Sequence, residues 1–130
     1  MPQLVDNDSD RRVAVWAETL YLVNLMLAPG LAFLALAYLW WRWRARVGPL
    51  ARNHLSQTLG VSLLGGGLLV VIVGLLLAFG DLSSGTLWMW VVLYFTFIHS
   101  TLILLGVLGL VKAMNGEHYV YPLIGRLFTP

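Results

Sequence analysis

Two histidines stand where a chain of this kind could do chemistry. His54 opens one uncharged run and His99 lies inside another, and paired imidazoles on one iron are a way to hold a b-type haem. Spacing argues against one haem within one chain. At about 1.5 Å of rise per helical residue, His99 stands roughly 20 Å above the level of His54. His99 could hold haem b only with a histidine from a partner, so no cofactor is predicted for the chain alone. The same rise brings His99 level with Asn24, with Thr96 nearby. These three form a candidate intramembrane polar site, because ionisable and amide groups at membrane depth are costly and functional by default. The chain has no cysteine and no HExxH, GxSxG, P-loop or paired-carboxylate pattern, so neither a metal site nor catalysis is expected.

The elements that carry these residues are set by composition. The chain has 130 residues, 59% of them hydrophobic and 11% charged, against roughly 25% charged in a soluble domain. Fourteen charged side chains, eight Lys/Arg and six Asp/Glu, cannot cover a globule of this size, so lipid must. Net +2 is too small for a nucleic-acid module. Residues 19–41, 55–80 and 82–111 are free of charge, and about 20 such residues cross a bilayer as a helix. The expected fold is therefore an all-α membrane protein with three transmembrane helices near 18–42, 57–79 and 86–112. A polar tail, 1–17, precedes them, and an interfacial amphipathic tail, 113–130, follows. The N-terminus lacks the basic-then-apolar order of a signal peptide, which makes the first run a retained anchor.

Basic residues favour the cytoplasmic side. Arg42, Arg44, Arg46 and Arg52 lie between the first two spans, and Lys112 and Arg126 follow the third. Arg11 and Arg12 alone dissent, among Asp6, Asp8 and Asp10. The count predicts a multi-pass membrane protein with its N-terminus outside and its C-terminus inside. Trp40, Trp41 and Trp43 would then mark the inner interface, and Trp16, Trp88 and Trp90 the outer one. Glu18, at the outer start of the first span, reads as a helix-dipole partner. Pro29-Gly30 predicts a kink in that span. Ser62, Gly66, Gly67 and Gly74 give the second span a small-residue face, and Gly106 gives one to the third. Such faces let helix backbones approach closely in lipid.

The segment Trp40-Trp41-Arg42-Trp43-Arg44-Ala45-Arg46 reads as a basic aromatic ribbon on anionic headgroups. The stretch continues through Arg52, His54 and Gln57 as a candidate docking segment for lipid or protein. The tail, with Glu117, Tyr119, Tyr121, Pro122 and Arg126, is a second candidate docking segment. Tail residues Tyr119, Tyr121, Leu123, Ile124, Leu127 and Phe128 are expected to fold back on the inner surface.

The run Lys112-Ala113-Met114-Asn115-Gly116-Glu117-His118-Tyr119-Val120-Tyr121-Pro122-Leu123-Ile124-Gly125-Arg126, with Asn53-His54 and Gln57 opening the second helix, resembles a bacterial domain family of unknown function. Its members are small three- or four-helix membrane proteins named for likeness to the chloroplast import subunit Tic-twenty. The resemblance spans about residues 20 to 128 and implies a fold more than an activity. It also implies that the tail and the start of the second helix share one cytoplasmic patch, with Glu117 paired to Arg52 or Arg126 and both tyrosines under the basic loop. The function expected is a non-catalytic accessory or assembly subunit of a larger inner-membrane complex. Its partners would be other integral membrane subunits or further copies of itself, together with anionic phospholipids. One alternative is a membrane anchor that helps bind haem b or quinone for a redox partner; another is a small channel or transporter component.

Overall fold

A computed structural model describes residues 7–27, 30–122 and 125–128. Among them are four helices, α1 (Asn7–Met26), α2 (Leu31–Trp43), α3 (Pro49–Phe79) and α4 (Gly85–Met114), a short 3-10 turn at Gly125–Phe128, and no strand. The first expected span is thus two helices rather than one. Between them the chain reverses: Gly30 adopts φ 89° and ψ −54°, a positive-φ conformation that costs a side-chain-bearing residue roughly 1–3 kcal/mol. Pro29, where a kink was expected, lies outside the described residues.

The reversal makes α1 and α2 an antiparallel hairpin. At its open end the Gly48 N–H donates to Asp10 Oδ1 at 2.8 Å. At its tip Asn24 Oδ1 accepts the Gly30 N–H at 2.9 Å and the Phe33 N–H at 3.2 Å. These bonds give the non-helical backbone of the turn partners within the chain. Replacing Asn24 by Ala should cost about 1–2 kcal/mol, as loss of a helix cap does. Hydrogen exchange at the Gly30 and Phe33 amides is expected to rise about tenfold; unchanged protection would show that another group holds the turn.

The second hairpin is longer. Gly48 and Pro49 begin α3, with proline at the first helical position, where its missing N–H is no loss. Asp81 Oδ1 accepts from the backbone and the hydroxyl of Ser83, and Ser84 caps α4 through the Leu87 N–H. Helix α4 ends at Asn115-Gly116, where Gly116 has φ 73° and the Glu117 N–H returns to the Lys112 carbonyl at 2.8 Å, a Schellman-type stop. Helix α1 packs against both α3 and α4, and α2 against α1 and α3.

Helices α3 and α4 are long and apolar enough to cross a membrane, and only 11% of the most apolar window in each is buried. A soluble core helix hides such residues, whereas here Val70, Phe79 and Phe97 face outward. At about 1.5 Å per residue, 59–79 already spans about 31 Å, the thickness of the hydrocarbon layer. At 31 residues, α3 is therefore longer than one crossing needs.

Three expectations change with this layout. Helix α3 starts at Pro49, eight residues before the expected 57, because a hydropathy threshold skips the polar first turns. The expected polar tail becomes helix from Asn7 onward. Finally, Asp10, Arg11, Pro49, Leu50, Gly116 and His118 line one cleft, so the start of α1, the 44–48 turn and the tail occupy the same end of the molecule. A layout with the N-terminal segment and the tail on opposite faces does not fit a helical hairpin, which returns the chain to the side it left. Trp16, carried on α1, moves with that end.

Candidate functional site

Two helix faces and the tail converge on one buried polar cluster. On α1, Asp10, Ala14, Ala17, Glu18 and Tyr21 recur at helical spacing, and all are buried. On α3, Asn53, His54, Gln57, Thr58 and Val61 do the same. Glu18 and His54 are fully buried and meet at 2.6 Å, Oε1 to Nδ1. The Tyr121 hydroxyl donates to Glu18 Oε2 at 2.6 Å. The other imidazole nitrogen, Nε2, lies 2.8 Å from the Glu117 carbonyl.

That last contact assigns the protons. A carbonyl oxygen can only accept, so Nε2 carries hydrogen. One further proton lies between Nδ1 and Oε1, giving either a carboxylate with an imidazolium or a carboxylic acid with a neutral imidazole. Burial pushes the Glu18 carboxyl above its ordinary range, against the hydrogen bonds from His54 and Tyr121 and the His54 charge. That direction favours the neutral pair, in which Glu18 donates to Nδ1 through Oε1 and accepts from Tyr121 through Oε2. Burial raises the Tyr121 hydroxyl far above its usual range, so it stays a donor.

The α3 side chains also hold the tail by its main chain. Asn53 Oδ1 accepts the Tyr119 N–H at 2.8 Å, Gln57 Oε1 accepts the Tyr121 N–H at 3.0 Å, and Gln57 Nε2 donates to the Gly125 carbonyl at 2.7 Å. Thr58 turns its hydroxyl back to the His54 carbonyl at 2.7 Å. Tyr121 packs edge-on against Tyr21, ring centroids 5.4 Å apart, and against Tyr119 at 4.8 Å. Tyr21 in turn donates to the Leu102 carbonyl at 3.1 Å. The cluster thus ties α1, α3, α4 and the tail together.

This placement corrects several expectations. His54, Gln57 and Tyr121, expected on a docking surface, are fully buried, and their polar atoms are engaged within the chain. Glu18 caps no helix start; it lies in the second half of α1, at the centre of the cluster. Glu117 pairs with Lys112 at 2.8 Å, while Arg52 donates to the Arg44 and Val47 carbonyls at 3.3 and 3.4 Å. Tyr119 and Tyr121 pack over α1 and α3 rather than under the basic loop. Arg44, Arg46, Arg52, Pro122 and Arg126 are exposed, as a docking surface requires. Leu123 and Ile124 lie outside the described residues.

The intramembrane trio is partly assembled. Asn24 and His99 line one groove of about 690 Å³ with Ser62, Gly66 and Gly67, but the Asn24 oxygen is used by the hairpin tip, and His99 stacks on Phe95 at 4.9 Å. Thr96 is exposed on α4. Of the packing glycines, Gly106 meets Tyr21 and Leu22 of α1, whereas Gly66, Gly67 and Gly74 face open space. Glu18, Tyr21 and Asn53 were missed as site residues. Their signal was the helical stripe of Ala14, Ala17, Glu18 and Tyr21, which is hidden when 18–42 is read as one uniformly apolar span.

Fold and site together define a membrane protein in which a short helical hairpin and a clamped tail brace the base of a long one. The chain belongs to the MamF/MmsF family, the magnetosome magnetite crystal formation protein family, whose model matches residues 9–128. This overturns the likeness to the Tic-twenty-related family, since the family matched is a different one. The tail residues on which that likeness rested have a structural task here, closing the tail onto α3. No curated protein and no solved structure matches the chain.

Proposed function

We propose that the chain is a non-catalytic accessory protein of the magnetosome membrane, anchored by the α3–α4 hairpin. Its basic end faces the cytoplasm and its 80–84 turn faces the compartment in which magnetite forms. The observation that carries this reading is the separation of charge. Folding α1 and α2 into a hairpin brings Arg11 and Arg12 beside Arg44, Arg46 and Arg52, at the end that also carries Arg42, Lys112 and Arg126. The expected count of six against two becomes eight against none, and short basic segments stay cytoplasmic. At the opposite end, among the described residues, the charged side chain is Asp81. Hydrogen bonds from the Ser83 hydroxyl and backbone hold its carboxyl below the usual range, keeping that turn anionic.

Support for an accessory role comes from the cluster. Its acid, imidazole and phenol are used to bind the protein's own tail, which makes it a brace, and the molecule acts through its surfaces within the assembly around the crystal. The absence of native cysteine makes the orientation directly testable. In intact magnetosomes, a membrane-impermeant maleimide is expected to label Arg12→Cys and Arg46→Cys and to reach Ser83→Cys only after detergent is added. Labelling of Ser83→Cys in sealed vesicles, or protection of Arg12→Cys, would overturn the topology. In cells lacking the chain, altered crystal size or number within persisting membranes is the expected phenotype. Loss of the membranes themselves would contradict an accessory role.

A further inference from the structure

A trough runs up the outside of α3, beside α2. Its lower part, about 360 Å³, is walled by Trp40, Leu59, Leu63 and Phe128, with Ser56 and Gly60 beneath. Its upper part, about 690 Å³, shares Leu63 and continues over Ser62, Gly66 and Gly67 to Val71, between Phe33 and Phe95. The floor is unfilled, since a Cβ at Gly66 or Gly67 would meet nothing within 4 Å. Ser56 to Val71 covers about 22 Å at the helical rise, more than one leaflet's share of a hydrocarbon layer about 30 Å thick.

The lower mouth differs in chemistry from the rest. Trp40, which forms its wall, carries the Arg44 guanidinium stacked 4.3 Å from its ring centroid, and Arg42 lies 5.7 Å from the Trp43 ring. Tryptophan at this level marks the headgroup boundary, and arginine beside it attracts an anionic headgroup. Within the trough Ser62 Oγ is buried without a hydrogen-bond partner among the described residues.

From this arrangement we infer that the trough binds one anionic phospholipid of the leaflet at the basic end, its phosphate against Arg44 and Trp40 and an acyl chain on the Gly66–Gly67 floor. A second copy of the chain fits less well. Two copies oriented alike in one membrane would place their cationic mouths at the same level, where like charges repel, whereas a phosphate neutralises the mouth it occupies. The inference rests on the membrane-embedded reading of α3 but not on which face the basic end occupies, so the labelling experiment and the one below succeed or fail separately.

The full chain is purified in mild detergent from vesicles of equal phosphatidylglycerol and phosphatidylcholine, and retained lipid is counted by native mass spectrometry. The wild type is expected to keep one phosphatidylglycerol, with about tenfold preference over phosphatidylcholine. The double variant Gly66→Leu/Gly67→Leu, which fills the floor, is expected to lose that lipid. Gly67→Val alone, a milder change on the same floor, is expected to cut retention by more than half. Arg44→Ala is expected to keep a bound chain but lower the headgroup preference about fivefold, the loss of one cation at the surface. Equal retention of both lipids by the wild type, or undiminished retention in Gly67→Val, would overturn the site.

Discussion

Glu18→Ala is expected to lower the unfolding free energy of the purified protein by about 2–6 kcal/mol, since two buried polar groups lose their partner at about 1–3 kcal/mol each. The variant leaves His54 Nδ1 and the Tyr121 hydroxyl without their shared acceptor and donor, deep in the base of the bundle. Glu18→Gln is expected to cost only about 1 kcal/mol, the scale of one imperfect hydrogen bond. The reason lies in the proton assignment. A carboxylic acid donates through one oxygen and accepts through the other, and a primary amide does the same with its N–H and its carbonyl. Thermal unfolding in detergent, followed by near-UV circular dichroism, measures both variants. Equal losses for Ala and Gln would show that Glu18 is ionised and His54 is an imidazolium, and the neutral pair would have to be given up.

A second contrast comes from glycines that look alike in sequence. A Cβ at Gly109 would stand 2.6 Å from Glu18 Oε2, and one at Gly106 would stand 2.6 Å from the Tyr21 ring. Alanine at either position overpacks the seam between α1 and α4, with an expected loss of about 1–3 kcal/mol. At Gly109 the displaced group is the Glu18 carboxyl that holds His54 and Tyr121, so the tail should loosen as well. Protease cleavage after Arg126 is a direct readout. Gly74 faces open space, and Gly74→Ala is expected to be neutral or to stabilise the helix by up to about 1 kcal/mol. If Gly109→Ala and Gly74→Ala melted together, α1 would not be packed on α4 as described.

Much of the architecture could be read from residue types. The third expected helix, 86–112, matches Gly85–Met114 within two residues because both ends carry explicit signals, Ser84 before it and Asn115-Gly116 after it. The second matches at its end, Phe79, but not at its start, where Asn53, His54 and Gln57 make a polar face that hydropathy reads as a loop. The first fails for a different reason. The apolar residues of α1 and α2 are continuous in sequence, and hydropathy carries no information about direction. A straight span and a hairpin satisfy the same profile.

Lipid as the surrounding solvent, helices as the only elements described, and basic residues gathered near the 42–52 turn all follow from the sequence itself, because composition and local charge need no partner to be counted. The reversal at Gly30 was settled by the tertiary structure, and with it the return of Arg11 and Arg12 to the basic end, the burial of Glu18 and the clamp on the tail. Each of these depends on residues far apart in the chain, Asp10 with Gly48, Glu18 with His54 and Tyr121, Gln57 with Gly125. A buried acid is tolerable only where a distant imidazole and phenol meet it, and no local pattern records that meeting.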